Sequence, residues 1–544
     1  MAKNEVTNNI ESKKINNFWL MAGLLVILLA TSMSRDIFRP FYGLHSWAEA
    51  HSAWDARVQV KYGLGYTKGF ECRAVGNPPV ENPYRYLDHP QLYGLLNAPA
   101  MAILGINTWS LRVTNIVATI LTLLLFLRIL RGLLDDETAL LGGLFFCLFP
   151  VIGYFGVNMW LYPFCFWAIW NYLVVINALQ SGPEPQRKHK IYLAISLFMA
   201  LQLSWEGFFF ALAIGIHYVC RCIYRRQFPD KALLAILTVA PLSSLAIDFI
   251  IMAGGHGWDF QKIINLYNWR AGSGELEEHV WSKWFATLWK HARTNFTLPI
   301  LIIAIVQLTI GQFFVITHPK SQKNNTRTKG LFPFFLLFFM IPFFQMVLLK
   351  GCLWRHQTWE RPFMPLLAIA AAQGIVLLED LLKKANKKLA ITCTAVLVTI
   401  ILIASIKGTN YYYGIRWQSP TKTQMFENLQ KNIPPDKALL SFEPFTVNQN
   451  SAKGVFYRPE IAWYLDRDIV QATTFAEIQN YAKTNRYPYY LIPVVDQLKP
   501  LLAQLQQQYK FEYVQGDPGE EKYGKFYRAG TMNYMIFDLH SKIE

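Results

Sequence analysis

Charge is what this sequence has least of: Asp, Glu, Lys and Arg make up only 16% of its 544 residues, against 53% hydrophobic and 15% aromatic side chains. A chain so long and so poor in charge does not fit the ordinary soluble enzymes, and a bilayer is the solvent its composition suits. Cysteine is sparse as well, seven residues with no CxxC and no Cys/His metal spacing, which removes zinc-ribbon and thiol-redox readings. Cys147, Cys165, Cys220, Cys222 and Cys393 lie in or beside apolar runs and read as small hydrophobes. Only Cys72 and Cys352 fall in outer loops, where a disulfide between them would require an oxidising compartment. No internal repeat and no long low-complexity linker occurs. The first apolar stretch, Phe18 to Met33, runs into Ser34-Arg35-Asp36 and not into a small-x-small cleavage site, so it is expected to remain as the first span.

What charge there is carries one sign, a formal +16. The basic residues sit in short clusters between apolar runs, the pattern of topology signals, which excludes nucleic acid as a partner. A span needs about 20 apolar residues. Candidates lie near 18–33, 109–130, 138–157, 160–179, 231–253, 297–317, 331–349, 362–380 and 388–406. The run Ile191 to Tyr224 would measure roughly 50 Å as a single helix, so it is broken at Ser204-Trp205-Glu206-Gly207 into a hairpin, which brings the expectation to eleven spans.

One apolar segment, Leu92 to Leu104, is short and interrupted by Asn97 and Pro99. If it lies in the interface, six basic clusters share one side: Lys13-Lys14, Arg128 with Arg131, Arg187-Lys188 with Lys190, Arg225-Arg226, Lys320 to Lys329, and Lys383-Lys384 with Lys387-Lys388. The positive-inside rule then makes that side cytoplasmic; a crossing segment would flip every later cluster relative to the first. The expected architecture is a polytopic α-helical membrane protein in a cell membrane of the bacterial inner-membrane type. A transmembrane domain over 1–406 carries a large first outer loop at 34–108, with further outer loops at 254–296 and 350–361, and 407–544 forms an extracytoplasmic α/β domain. In that tail, strand-like runs at 438–442, 489–494 and 534–537 alternate with helix-like stretches near 421–432, 475–484 and 498–508.

The first outer loop concentrates the chemistry. Leu44 to Arg57 holds His45, Glu49, His51, Asp55 and Arg57 among aromatics. On a helix His45 and Glu49 share a face, as do His51 and Asp55, with Arg57 one or two turns from either acid. A carboxylate held there could act as a general base and Arg57 as a counter-charge for phosphate; an amphipathic interfacial helix with its charges in water accounts for the same residues. Further on, Tyr84-Arg85-Tyr86-Leu87-Asp88-His89-Pro90 leads into the 92–104 segment. Pro90 pushes His89 out of the helical region, leaving Asp88 and His89 at a helix amino end where an anion is welcome, or where an Asp simply caps.

Taken together these motifs resemble the GT-C glycosyltransferases, most nearly the branch of protein O-mannosyltransferases and aminoarabinose transferases. The likeness rests on an acid at Glu49, then Ala56-Arg57, Gly63, a Tyr-x-x-His-Pro-x-Leu run at 86–92, Leu104-Gly105 and Leu111-Arg112 entering a span. It covers roughly residues 18–180 by motif and the rest by architecture. It implies inverting transfer of a sugar from a polyprenyl-phosphate carrier to a protein, lipid or glycan acceptor, in a cavity at the outer membrane face, as in cell-envelope glycosylation. Glu49 falls on the second acid of the family's Asp-Glu pair, Ala48 replaces the first, and Tyr162 stands where a further family acid would be. Glu49 therefore leads as catalytic base and Asp55 follows. Arg57, His89 and Arg361 are expected to hold the donor phosphate, the last within Trp354 to Pro362, where interface anchoring is an equal reading. Asp88, Tyr86, Trp269 and Arg270 are expected against substrate, with Trp281 and Trp284 suited to sugar stacking or to an aromatic belt. Asp248 should face a polar cavity, and Glu206 is a lower-ranked acid. Some GT-C enzymes use a divalent cation, those most like this chain do not, and the loss of the paired acids disfavours one. A flippase for lipid-linked saccharides is the competing class, but it should concentrate charge along its spans, whereas this chain concentrates it in outer loops.

Overall fold

The structure is a computed structural model that describes residues 2–543 apart from 80, 82, 88, 155–158, 182–186, 256, 272–280, 312–330, 352–355, 416–419, 444–458 and 517–532. The chain divides into two compact units, one of Met1–Arg35, Asp88–Tyr93 and Asn115–Tyr411, the other of Asp36–Leu87, Gly94–Thr114 and Tyr412–Glu544. The break at Tyr411/Tyr412 lies close to the boundary expected at 406/407, but most of the first loop groups with the carboxy-terminal residues and not with the spans.

The first unit is a bundle of apolar helices and the protein is a polytopic α-helical membrane protein. Among the described residues seven helices are long and apolar enough to cross a membrane: Asn17–Ser34, Thr108–Leu133, Leu161–Leu179, Glu206–Arg225, Lys231–Gly255, Thr358–Ala385 and Lys387–Gly414. An eighth arises if Ser282–Phe296 and Leu298–Gly311, bent by 106° at Thr297, count as one broken span. Eleven were expected, and at two of the other places the chain breaks for a local reason. The segment at 138–157 forms a helix only over Asp136–Leu148, because Pro150 cannot donate into it and opens a separate turn, Pro150–Gly153. Arg187–Leu203 stops after 17 residues at the break expected before Glu206. Near 331–349 the apolar helix Leu331–Leu348 stands where it was expected. Leu92–Leu104 is a helix of 13 residues, about 20 Å long and so short of the roughly 30 Å hydrocarbon core.

The second unit has an α/β core. Its five-stranded sheet has the order β4-β3-β5-β7-β6, with β3 Leu439–Ser441, β4 Ile469–Gln471, β5 Tyr489–Pro493, β6 Tyr509–Val514 and β7 Tyr534–Lys542. β4, β3 and β5 run parallel; β7 and β6 close the sheet antiparallel. The helices Pro459–Leu465 and Phe475–Ala482 lie between successive parallel strands along the chain, as parallel pairing requires a crossover. A second, two-residue ribbon pairs β1 Cys72–Arg73 with β2 Tyr84–Arg85. Phe41, Trp54 and Val58 from the first loop share one hydrophobic core with Phe426, Trp463 and Leu491. Cys72 lies in that core as a free thiol, pushed up by burial to about 11, and Cys352 is outside the described residues.

Candidate active site

The chemistry-bearing run becomes the helix Ser46–Thr67. Ala50, Ala53 and Ala56 favour it and let neighbouring segments approach closely, all three being fully buried. Gly63 ends the regular part: its φ of 79° lies in the left-handed region and a Cβ there would meet nothing within 4 Å, so conformation, not space, requires glycine. Upstream of that break Glu49, Asp55 and Arg57 are 2%, 1% and 4% exposed, which rules out an amphipathic helix with its charges in water. At about 100° per residue, Asp55 and Arg57 point roughly 120° and 80° to either side of Glu49, so each charge meets a separate partner.

Glu49 is clasped by two arginines from different segments. Arg112 Nη2 donates to Glu49 Oε2 at 3.2 Å, and Arg39 Nη2 lies 3.9 Å from Oε1. Arg112, fully buried, also donates to the carbonyls of Ile37 and Arg39 and lies over the Phe41 ring, 5.3 Å from its centroid. Glu49 Oε1 accepts no hydrogen bond among the described residues.

Asp55 pairs with the buried Arg73 of β1 and has His51 Nδ1 at 3.6 Å, the shared face expected for that pair. Arg73 is sandwiched between Trp54 and Tyr86, 5.4 and 5.1 Å from their centroids, and Tyr86 meets His51 edge-on at 5.3 Å. Glu71 joins this group: a Cβ on Gly94 would lie 3.3 Å from Glu71 Cγ and 3.8 Å from Asp55 Cβ. Burial pushes Asp55 up to about 6 against the pull of Arg73. Burial, then the charge of Asp55, pushes Glu71 well above the carboxylate range.

Arg57 faces elsewhere. Its Nη1 and Nη2 donate to the carbonyls of Trp463 and Ala462 at 2.7 and 2.8 Å, Asp466 Oδ1 is 3.5 Å away, and the Trp463 ring lies 5.0 Å beneath it. Lys61 reaches the other oxygen of Asp466 at 2.7 Å. The guanidinium expected to hold a donor phosphate is thus engaged with the helix Pro459–Leu465 and the residue that follows it.

Within the span unit a second buried polar group forms. Glu206, at the first turn of its helix and 3% exposed, accepts from Tyr162 Oη at 3.3 Å and from Gln345 Nε2 at 3.4 Å. Arg361, 5% exposed, lies 5.8 Å from the centroid of the Tyr162 ring and donates to the Thr358 carbonyl at 2.9 Å. Beside it Glu360 accepts from Asn295 Nδ2 at 3.0 Å. Asp248 accepts from Gln202 Nε2 at 3.3 Å and is buried, as its expected polar surroundings require.

His89 belongs to the span unit, half-buried, and its carbonyl accepts from Gln91 Nε2 at 2.5 Å. Asp88 lies outside the described residues. Trp269 and Arg270 fall on the helix Phe260–Ala271 and Trp281 begins the next; their side chains are not described. Trp284 is buried and donates to the Lys350 carbonyl at 3.2 Å, a structural placement that leaves no ring face for a sugar. Among the described residues no three His, Cys, Asp or Glu side chains converge to hold a metal ion.

Sequence reasoning missed Arg39, Arg73, Glu71 and Asp466. Arg112 entered only through the Leu111-Arg112 element of the resemblance, and a charge at the mouth of a span is the signal by which its need for a partner could have been found.

No protein-family description and no curated protein matches the chain. Solved structures do. ArnT from Cupriavidus metallidurans bound to undecaprenyl phosphate matches over 96% of this chain and 97% of its own, at 11% identity and a TM-score of 0.58. ArnT from the same organism in the apo state matches over 97% and 98%, at 12% identity and a TM-score of 0.44. The chain thus has the fold of that ArnT.

Proposed function

We propose that the protein is a membrane glycosyltransferase that moves a sugar from a polyprenyl-phosphate donor to an acceptor at the outer face of the membrane, with inversion at the anomeric carbon. The observation that carries this is the shared fold with a protein solved with undecaprenyl phosphate, in a chain whose first loop buries an acid between two arginines. A sugar phosphodiester already holds a competent leaving group, so the enzyme must mainly orient the reactants, bind the phosphate and remove one proton. The acceptor hydroxyl oxygen attacks the anomeric carbon, the bond from that carbon to the phosphate oxygen breaks, and polyprenyl phosphate leaves. Glu49 takes the hydroxyl proton on Oε1, the oxygen that accepts no hydrogen bond, while Arg112 and Arg39 fix its orientation. Asp55, with His51 and Glu71 beside it, is the second candidate base. Arg361 and His89 bind the donor phosphate, and Asp88, Tyr86, Trp269 and Arg270 contact substrate. Arg57 instead ties the first loop to the carboxy-terminal residues.

The experiment is transfer of radiolabel from a polyprenyl-phosphate sugar to a membrane extract by the purified protein. The wild type should transfer label and Glu49→Gln, compared at equal amounts of folded protein, should not. Full activity in both Glu49→Gln and Asp55→Asn would sink the base assignment; no transfer with any polyprenyl-phosphate sugar would sink the enzyme class.

A further inference from the structure

The helix Pro420–Asn432 and the antiparallel side of the sheet enclose a cleft of ≈ 150 Å³ within the second unit. That is space on the scale of one small polar molecule.

Its chemistry is specific. Along the helix Gln424, Asn428 and Asn432 recur every fourth residue and line one wall, so their three amides stand in a row. All three are exposed and make no hydrogen bond or ion pair among the described residues. Next to that row, Met425 and Leu429, each 3% exposed, form an apolar floor with Ile536 of β7. The opposite wall is Glu512 of β6, in register with Ile536. Tyr489 of β5 contributes a phenol, an apolar body with a polar tip.

An amide both donates and accepts, a carboxylate only accepts, and among the described residues no lysine or arginine lines the cleft. Such walls do not suit a phosphate or another anion. They suit a ligand dense in hydroxyl groups, each of which also donates and accepts, with an apolar C–H face for the floor. The charged residues of the helix, Lys422, Glu427 and Lys431, are not among those that line the cleft. We infer that this cleft binds an uncharged saccharide ring, as a carbohydrate site in the carboxy-terminal α/β region. The inference does not depend on the transferase reading.

The test is saturation-transfer NMR on the full-length protein in a detergent without a sugar headgroup, with D-glucose, D-mannose and N-acetyl-D-glucosamine each at about 10 mM, a range that detects millimolar affinity. Ring protons of at least one sugar should be saturated by the wild type. The signal should fall about tenfold in Asn428→Ala or Gln424→Ala and weaken in Glu512→Gln. It should be unchanged in Gln504→Ala, an exposed amide on the helix Lys499–Gln506 outside the cleft. Because every substituted side chain is exposed, loss of signal with an unchanged thermal transition reports the site and not the fold. No saturation of any of the three sugars, or a signal that survives all three cleft substitutions, overturns the proposal.

Discussion

Arg112 Nη2 and Glu49 Oε2 stand 3.2 Å apart, with the arginine side chain fully buried and the glutamate 3% exposed. Two full charges out of water stay paired only while both are present, and removing one strands the other at a cost of roughly 3–5 kcal/mol. Arg112→Ala should therefore lower the thermal midpoint strongly, and Glu49→Gln, which keeps an acceptor for Arg112 but removes the compensating charge, should lower it as well. The catalytic test is read per folded molecule: Glu49→Gln should lose about 10²–10⁴-fold in transfer rate in the fraction that stays folded.

The pH profile distinguishes the two candidate bases. Asp55 is held near 6 by burial, and a base works only when ionised. If Asp55 is the base, kcat/KM for transfer should rise with pH along an acid limb centred near 6. For stability the sign is opposite: an acid raised from 3.8 to about 6 contributes stability that is full below about 4 and lost as pH climbs through about 6. Glu71, shifted the same way, adds to it. Thermal unfolding followed by tryptophan fluorescence should show a lower midpoint at neutral pH than near pH 5. A transfer rate flat through pH 6 removes Asp55 from the mechanism.

Arg57 yields a contrast between two roles. As a phosphate ligand it would raise the donor KM when lost. As a buried tie to Asp466 and the Ala462 and Trp463 carbonyls, it should cost stability when replaced, roughly 3–5 kcal/mol for Arg57→Ala. Asp466→Asn should be partly non-additive with it in a double-mutant cycle. The structure predicts the second outcome, with donor KM nearly unchanged in whatever fraction remains folded.

Arg361 should behave in the other way. Arg361→Lys keeps the charge but loses the planar fork, and should raise the donor KM about tenfold, equivalent to about 1.4 kcal/mol. Glu206→Gln can still accept from Tyr162 and should leave donor KM nearly unchanged, while Glu206→Ala strands Gln345 and Tyr162 and should unfold more readily. Michaelis constants against a polyprenyl-phosphate sugar series measure both.

Much of this was legible in the residues because it followed from hydropathy and local rules. The break before Glu206, the short helix Leu92–Leu104 and the strands at 439–441, 489–493 and 534–542 all stand where periodicity and turn residues put them. The strands at 469–471 and 509–514 did not show. One is only three residues long; the other, Tyr-Lys-Phe-Glu-Tyr-Val, has the alternation of a half-buried strand but no continuous apolar run. The acids on the helix Ser46–Thr67 were legible as unusual, and the partners that bury them were not. Arg73 pairs with Asp55 from 18 positions away and Asp466 pairs with Arg57 from the far end of the chain. Local periodicity carries no information about contacts at such separations, so exposure was the wrong expectation for all three charges.

The carbonyls that satisfy Arg57 arrive late in synthesis. Ala462 is 405 positions downstream, which at about 5–20 residues per second is a delay of roughly 20–80 s. For that interval the nascent chain carries an arginine destined for a buried site, together with a helix whose apolar face includes Trp54 and Val58 and has no core to enter. A chain terminated between Gly414 and Ala462 would therefore hold every one of the apolar helices described above and still leave Arg57 without the carbonyls that satisfy it.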